Sequence, residues 1–345
     1  MIGIDTIRLK LSRFEIDQMA PVLVNTDYTL KGEDKSEELI RLTNGTRLFG
    51  KKAYLNRENY NFEILRGIGG VNAFVHFSIP KIVSGSDNSR LVDKDCTITA
   101  IGKVEQELRE NGIMTNLHKA KISRLDICRN IVTEAPYREY DNVLNNLQMK
   151  RAAKKDLGRN VDTHLWKNSL QEICIYDKWK EMEQKKQNLK GIEPRTVRCE
   201  IRLMRTRKVM DETDFMDAGD LLYRYDEIYG YYCNKLKKNI FKYSVSEFEV
   251  LLKEEVKTRL NYFKTNYKRN WVNEFVKTFG IAMIDRVIGL RVFELALKET
   301  SAKRNTIHYV RKNYNKKIFE NSLFGGGLNS ADLYNELKYK LCEAA

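Results

Sequence analysis

Three short segments near the middle of the chain alternate apolar and polar residues with a period of two. They are ISRLDICRN at 122–130, EICIYDK at 172–178 and VRCEIRL at 197–203. Because successive side chains of a strand leave on opposite faces, the alternation predicts strands of an antiparallel sheet with one buried side. The residues predicted to share that buried side are Leu125, Ile127, Ile173, Ile175, Val197, Cys199, Ile201 and Leu203.

The opposite side of these strands is predicted to gather charged groups and a tyrosine. A solvated sheet face normally carries scattered polar residues, whereas here carboxylates, cations and a phenol converge on one patch. This combination suits metal-assisted phosphoryl transfer to a tyrosine. By parity the patch holds Arg124, Asp126, Glu172, Tyr176, Lys178, Arg198, Glu200 and Arg202.

The charge balance favours a polyanionic partner. The 345 residues include 61 Lys and Arg against 47 Asp and Glu, a formal net charge of +14. Such a balance favours nucleic acid over an acidic membrane surface. No apolar run reaches about 18 residues and the N-terminus lacks the pattern of a secretion signal. The six cysteines show no CxxC spacing, so we expect reduced thiols in a cytoplasmic protein.

Hydrophobic patterning predicts an α+β chain with two domains. Further strands are predicted at 4–11 and 74–83, and helices at 95–111 and 137–149. Residues 1–211 are predicted to form an antiparallel-sheet, nuclease-like domain, and 212–345 an all-helical DNA-binding or accessory domain. In the second domain, Ser246 and Glu249 predict a capping box before a stripe of apolar residues. The stripe is Phe248, Leu252, Val256 and Leu260, and further helices are predicted at 271–278, 281–299 and 330–342.

Tyr176 is the candidate nucleophile of the polar patch. A phenol has a pKa of about 10, so it attacks phosphorus only where a nearby cation or base favours the phenolate. Lys178 lies two residues later and is predicted to share the strand face, and Glu181 and Glu183 follow at helical spacing. The alternative is that Tyr176, one of 18 tyrosines, simply packs at a strand edge.

Asp126 and Glu200 are the candidate metal ligands. Mg²⁺ and Mn²⁺ prefer carboxylate oxygens and keep open positions for phosphate oxygens. A metal there would polarise the scissile phosphate while the tyrosine oxygen attacks in line. The alternative is plain ion pairing, of Asp126 with Arg124 or Arg202 and of Glu200 with Arg198.

Two other segments are candidates for DNA contact. In FSIPKIVSGSDN at 77–88, Ser78 and Lys81 are placed to approach a phosphate, although the same residues fit an ordinary strand end. The stretch 301–317 is basic and contains no acid, as expected of a recognition helix or of a solvated helical face. Its cations are Lys303, Arg304, Arg311, Lys312, Lys316 and Lys317.

The motifs SRLDICRN, CIYDKWKEME and VRCEIRL, in this order, resemble those of rolling-circle replication initiators. The resemblance is to the filamentous-phage gene II/X type and to the related plasmid replication-initiation-factor (Rep_trans-like) group, and it covers about residues 1–208. These proteins have a serine-leucine-proline-lysine motif followed by glycine and asparagines, and SIPKIVSGSDN is similar to it. The chain has no His-x-His pair, which fits the carboxylate-based metal binding of this branch.

The resemblance implies an enzyme that nicks one strand of origin DNA. Its tyrosine, matched by Tyr176, becomes linked to the 5′ phosphate and frees a 3′ hydroxyl for polymerase, and the strand is later rejoined. Lys178 matches the lysine two positions after the tyrosine. The acids map to Asp126 and Glu200, with Glu181 or Glu183 as a further ligand of Mg²⁺ or Mn²⁺. Arg124, Arg198 and Arg202 are further candidates for DNA contact.

Two other functions remain open from the sequence. A conjugative relaxase or a transposase would use the same transesterification, and a non-cutting initiator would bind and melt an origin without it. In each case the expected partner is duplex and single-stranded DNA in the cytoplasm of a bacterial host cell. A host helicase and polymerase are further expected partners, no membrane is expected, and the sequence does not indicate an oligomeric state.

Overall fold

The computed structural model describes residues 1–16, 38–41, 47–49, 52–67, 70–85, 91–156, 163–189, 191–267, 270–279, 284, 290–310, 312 and 329–343. Backbone contacts divide the chain into two compact units. Residues 1–132 and 151–233 form the first, here called the sheet unit, and 133–150 with 234–344 form the second, here called the helical unit. Compared with the predicted boundary at 211/212, residues 212–233 join the sheet unit and 133–150 join the helical unit.

Antiparallel strands make up most of the sheet unit. They are β1 (Ile2–Lys10), β2 (Phe14–Ile16), β3 (Glu38–Arg41), β4 (Arg47–Phe49), β5 (Lys52–Asn56), β6 (Tyr60–Gly67), β7 (Gly70–Ser78), β8 (Ile113–Thr115), β9 (Lys121–Val132), β10 (Ala153–Asp156), β11 (Thr163–Lys167), β12 (Gln171–Asp177) and β13 (Thr196–Leu203). Within the described residues, nine of them form one sheet in the order β10-β11-β12-β13-β9-β1-β7-β6-β5. The pairs β2-β8 and β3-β4 form separate two-stranded sheets.

The predicted alternation in β9, β12 and β13 is confirmed. Glu200 pairs with Cys174 on one side and with Cys128 on the other, and Ile201 pairs with Ile173 and Ile127. This register places residues of equal parity on the same face. Each of the residues predicted to share the buried side is 0 % exposed, namely Leu125, Ile127, Ile173, Ile175, Val197, Cys199, Ile201 and Leu203.

Strand β1 lies in the middle of the sheet, between β9 and β7. The prediction of a strand at 4–11 is therefore confirmed. An irregularity between Ile4 and Thr6 adds one residue to β1, Asp5, and shifts its alternation relative to β9. Glycine is required at the second position of the strand because a Cβ on Gly3 would lie 2.6 Å from the carbonyl oxygen of Val92.

The helices are described by the following bounds. They are α1 (Ile79–Ser84), α2 (Lys94–Glu110), α3 (Asp141–Asn146), α4 (Lys178–Gln184), α5 (Thr206–Thr213), α6 (Ala218–Tyr223), α7 (Glu227–Asn239), α8 (Val245–Tyr267), α9 (Trp271–Phe279), α10 (Leu290–Glu299) and α11 (Ser330–Cys342). Residues 304–310 are also helical. Single 3₁₀ turns span Leu117–Lys119 and Tyr137–Tyr140. Across the described residues beyond Leu203 every element is helical, so the α+β class, with helices concentrated toward the C-terminus, is confirmed.

Two predicted elements differ in their bounds. The strand predicted at 74–83 ends at Ser78, and residues 79–84 form α1 with Pro80 in its first turn. Proline lacks a backbone N–H and has its φ fixed near the helical value, so it is tolerated at a helix start and ends the strand ladder. The helix predicted at 137–149 is a 3₁₀ turn followed by the short α3.

The core of the helical unit follows the predicted apolar stripe. Phe248, Leu252, Val256 and Leu260 of α8 are buried. The ring of Phe248 stacks on Tyr334 of α11, with centroids 4.2 Å apart. The predicted capping box is displaced by two residues, to Ser244 and Glu247. The Glu247 carboxylate accepts a hydrogen bond from the backbone N–H of Ser244, and the backbone N–H of Glu247 donates to the Ser244 hydroxyl. Helices at 271–278 and 330–342 are confirmed, and the helix at 281–299 is described over Leu290–Glu299.

Candidate active site on the polar face of the sheet

Tyr176 lies on β12 with its hydroxyl directed at a carboxylate of the neighbouring strand. Its Oη donates a hydrogen bond to Oε1 of Glu200 over 2.6 Å. Since Glu200 is paired with Cys174 rather than with Tyr176 in the ladder, the contact is diagonal across the face that β12 and β13 share. The predicted meeting of phenol and carboxylate therefore occurs.

Burial changes the acid–base properties of this pair. The Tyr176 side chain is 8 % exposed and Glu200 is 4 % exposed. Burial, and then the negative charge of Glu200, hold the pKa of Tyr176 well above its ordinary value. Burial also acts to raise the pKa of Glu200, but Arg202 and Arg198 outweigh it and leave that pKa lowered. The pair is therefore a neutral phenol that donates to an ionised carboxylate.

Asp126 on β9 is held by an arginine of its own strand. Arg124 donates to both carboxylate oxygens, from Nε to Oδ1 over 2.9 Å and from Nη2 to Oδ2 over 2.7 Å. Burial raises the pKa of Asp126 to about 6, although Arg124 opposes the shift. The ion pair left open by the sequence is thus formed with Arg124, and Arg202 approaches Oδ2 at 4.0 Å.

Arg202 on β13 connects the acidic groups of the face. Its Nε and Nη2 donate to Oε2 of Glu200 over 2.9 and 2.6 Å, and its Nη1 donates to Oε2 of Glu172 over 3.2 Å. Glu172 also pairs with Lys167. The guanidinium therefore stands among Glu200, Glu172 and Asp126. The pairing predicted for Glu200 was with Arg198, whereas its partner is Arg202, two residues away in the other direction along β13.

The partners of Arg198 lie on other strands than its own. Its Nη1 lies 3.1 Å from Oδ1 of Asp5, and its Nε donates to Oδ1 of Asn130 over 2.7 Å. At 1 % exposure it cannot touch DNA in this conformation, contrary to its prediction as a DNA contact. Arg124 and Arg202 retain side-chain exposures of 27 % and 26 %.

Lys178 does not lie on the strand face as predicted, because β12 ends at Asp177 and Lys178 begins α4. The Asp177 side chain caps this helix by accepting from the backbone N–H of Lys180 over 2.9 Å. Lys178 is nevertheless buried, and its Nζ donates to Oε2 of Glu181 over 2.7 Å. Burial and the charge of Arg198 lower the pKa of Lys178, while Glu181 acts against them.

The structure distinguishes the two glutamates of α4. Glu181 is buried and pairs with Lys178 and Lys185. Glu183 is exposed. Residues two apart on a helix do not share a face, so Glu183 is not gathered with the buried groups.

The donor types of this face fit a hard divalent cation, since Asp126, Glu200 and Glu172 offer carboxylate oxygens. Their lone pairs are largely engaged by Arg124 and Arg202. Among the described residues, no three His, Cys, Asp or Glu side chains are arranged as a metal-holding group. Asp126 is therefore held by Arg124 and Glu200 by Arg202, and Arg202 lies 4.0 Å from Oδ2 of Asp126.

Asp5 and Asn130 belong to the same network and were not predicted. Asn130 ends the SRLDICRN motif on the predicted polar parity, so the alternation itself could have indicated it. Asp5 on β1 reaches Arg198 on β13 across the intervening β9, and the local pattern in IDTIRLKL does not reveal this strand order.

A cavity of about 270 Å³ lies further along the sheet unit. Arg124 and Thr6 line it together with the predicted Lys81 and Ser78. The other lining residues are Arg57, Glu58, Asn59, Tyr60, Asn61, His76 and Phe77.

The predicted basic stretch in the helical unit is described in part. Lys303, Arg304 and Lys312 are exposed. Lys303 lines a cavity of about 550 Å³ with Trp271, Tyr309 and several amide side chains, and none of its lining residues is acidic. The predicted contacts Arg311, Lys316 and Lys317 lie outside the described residues.

Comparison with known proteins returns no matching family model and no significantly similar curated protein for this chain. The part of the chain that the structure describes contains no helix with the length and apolar character needed to span a bilayer.

Proposed function

We propose that this chain is a DNA-nicking enzyme that initiates rolling-circle replication in the cytoplasm of a bacterial host. The observation that carries the proposal is the hydrogen bond between Tyr176 and Glu200 beside Asp126 and Arg202. A phenol aimed at an ionised carboxylate, with an arginine within reach, supplies the nucleophile, proton acceptor and phosphate-binding group of a transesterification. In this proposal the sheet unit is the nuclease and the helical unit binds DNA.

The DNA strand enters when its phosphate replaces the carboxylates that Arg202 binds. A guanidinium binds phosphate oxygens through the same paired N–H groups that it offers to carboxylates. Arg202 therefore turns from Glu200 and Glu172 to the scissile phosphate. Mg²⁺ or Mn²⁺, held by Asp126 and Glu200, would supply further positive charge against the phosphate oxygens.

In the chemical step, the Tyr176 oxygen attacks phosphorus as its proton passes to Glu200. A P–O bond to the tyrosine forms and the P–O3′ bond breaks. The 3′ oxygen leaves with a proton from solvent and becomes the primer hydroxyl. The phosphotyrosine conserves the phosphodiester energy, so the reverse attack by a 3′ hydroxyl rejoins the strand without a nucleotide cofactor.

The test uses a pool of single-stranded oligonucleotides of randomised sequence with Mn²⁺ or Mg²⁺. The expected product is a protein–DNA adduct that survives denaturation, and mass spectrometry after nuclease digestion is expected to find the nucleotide on Tyr176. Tyr176→Phe should abolish the adduct while DNA binding persists. Tyr232→Phe is the matched control, since Tyr232 is buried in the same unit and its hydroxyl donates to the Cys199 carbonyl over 3.1 Å.

A second candidate function is a non-cutting DNA-binding initiator. The raised pKa of Tyr176 and the paired state of Asp126 and Glu200 favour it, because such a network also fits a structural role. Absence of any adduct with either metal, combined with retained DNA binding, would select this function. An adduct that persists in Tyr176→Phe would contradict the assignment of the nucleophile.

A further inference from the structure

The 270 Å³ cavity of the sheet unit contains polar groups that nothing described satisfies. His76 Nε2 and Ser78 Oγ, both on β7, are buried and have no hydrogen-bond partner among the described residues. Buried polar atoms in proteins nearly always have a partner, so unpaired polar atoms at one cavity mark it as a place where a polar partner binds. Both residues line this cavity.

The Ser78 hydroxyl is not occupied by the helix that follows it. Ser78 is the N-cap residue of α1, a position where serine normally accepts from a backbone N–H of the first turn. Here its side chain makes no such bond. The hydroxyl is therefore free to donate into the cavity.

The charges around the cavity select an anion. Arg57, Lys81 and Arg124 line it, against the single carboxylate of Glu58. Arg124 is engaged by Asp126 and Arg57 donates to Asn111, which leaves Lys81 as the cation best placed to pair with a ligand. A hydroxyl, an imidazole N–H and an ammonium around one space are a donor set for a phosphate group.

The electrostatic environment of His76 agrees with this selection. Burial, and then the charges of Arg124 and Arg8, lower its pKa, and Glu63 acts weakly in the other direction. The imidazole thus lies in a positive field that a bound anion would offset.

The cavity adjoins the proposed nicking site on the same face of the sheet. Ser78 pairs with Thr6, Thr6 with Asp126, and Asp126 with Arg202 across successive strands. Ser78 is therefore two strand spacings, about 10 Å, from Asp126. Arg124 lines the cavity and also holds Asp126. The volume of about 270 Å³ lies below the usual range for ligands of drug size, which favours one phosphodiester over a whole nucleotide.

We infer that the cavity formed by His76, Ser78 and Lys81 binds a backbone phosphate of single-stranded DNA, a few nucleotides from the phosphate that is cut. This inference rests on the proposed nicking function and adds to it a site that positions the strand. Ser78 and His76 donate to the phosphate oxygens, and Lys81 neutralises them.

The first test follows the histidine resonances of the full chain by NMR, in a chelating buffer that prevents cleavage. The chain has four histidines, His76, His118, His164 and His308, and His118 is exposed and serves as the internal control. Oligothymidine is expected to shift the His76 signal at concentrations where inorganic phosphate does not. A His76 signal that moves with neither probe, or with inorganic phosphate alone, would overturn the inference.

The second test measures oligothymidine affinity against salt concentration. Lys81→Gln is expected to weaken binding about tenfold, as loss of one charge-assisted contact would. It should also reduce the slope of log K against log salt by about 0.7, the value for one phosphate on a single strand. Ser78→Ala should weaken binding about fivefold with the slope unchanged.

The matched control is Lys121→Gln, an exposed lysine on β9 that does not line the cavity. Unchanged affinity in both cavity variants would overturn the inference while leaving nicking intact. Conversely, the nicking function alone would be refuted if no adduct forms while oligothymidine still shifts the His76 signal and Lys81→Gln still reduces the salt dependence of binding. The two proposals therefore fail separately.

Discussion

The polar face of the sheet unit has two ends that differ in how their buried polar groups are paired. At the paired end, defined by Arg124, Asp126, Tyr176, Glu200 and Arg202, each carboxylate has an arginine within hydrogen-bond distance. At the open end, defined by His76, Ser78 and Lys81, buried donors face a cavity. The ends share Arg124, and their chemistry is otherwise opposite.

The two ends differ in whether their buried polar groups are already paired. Buried charges are tolerated only when paired, so the paired end is complete as it stands, and in the proposed function it must exchange partners to act. Buried neutral donors cost less when unmet, so the open end can wait for a partner without rearrangement. In the proposed function, a DNA strand would therefore bind first at the open end and then compete for Arg202.

The largest expected effect is at the paired end. Arg202→Met would leave Glu200 and Glu172 as buried carboxylates without their shared arginine, and should lower the free energy of unfolding by about 3 kcal/mol. Urea denaturation followed by circular dichroism measures it. Arg207→Met is the control, because the Arg207–Asp211 pair is exposed at 92 % and 62 % and should change stability by less than about 0.5 kcal/mol. Equal effects of the two substitutions would show that the network adds nothing to stability.

The second effect depends on pH. Burial raises the pKa of Asp126 from 3.8 to about 6, so the folded state holds this proton more tightly than the unfolded chain. The stability that this proton contributes is complete below pH about 4 and is lost as the pH rises through about 6. The free energy of unfolding of Asp126→Asn should therefore rise by about 3 kcal/mol relative to that of the wild type between pH about 4 and about 7. A constant or falling difference in urea denaturation would refute the raised pKa.

The smallest expected change in stability is for a serine at the open end, and it is compared with that for a serine whose hydroxyl has a hydrogen-bond partner. Ser78→Ala removes a group without a partner among the described residues and should change the free energy of unfolding by less than about 0.5 kcal/mol. Ser123→Ala should cost about 1 kcal/mol, because Ser123 Oγ donates to the Arg8 carbonyl over 2.9 Å. Thermal denaturation of both variants measures the contrast. An equal loss in both would mean that the Ser78 hydroxyl is already satisfied.

The sequence predicted which residues share each face of β9, β12 and β13, because side-chain alternation is a local property of a strand. It also predicted that Tyr176, Asp126 and Glu200 lie on one face. Glu200 pairs with Arg202 rather than Arg198, although both arginines lie two residues away on β13. Arg198 binds Asp5 and Asn130 of other strands, partners that alternation within one segment does not contain.

Other features required information beyond the local pattern. Asp5 on β1 reaches Arg198 on β13 across β9, and Lys178 lies off the strand face because it begins a helix that Asp177 caps. The polar side was predicted to be the wet side of the sheet, whereas Asp126, Glu172 and Glu200 are 3 %, 6 % and 4 % exposed. A period of two tells which residues point the same way and not what covers them.

The central place of β1 also has a consequence for how the chain folds. Ile2 pairs with Arg129, and Lys10 pairs with Phe74, so both neighbours of β1 come from distant parts of the sequence. Contacts over such separations form slowly because a long loop must first be closed. In the sheet, β1 lies between β9 of the paired end and β7 of the open end, so a kinetic defect in β1 would delay the joining of the two ends.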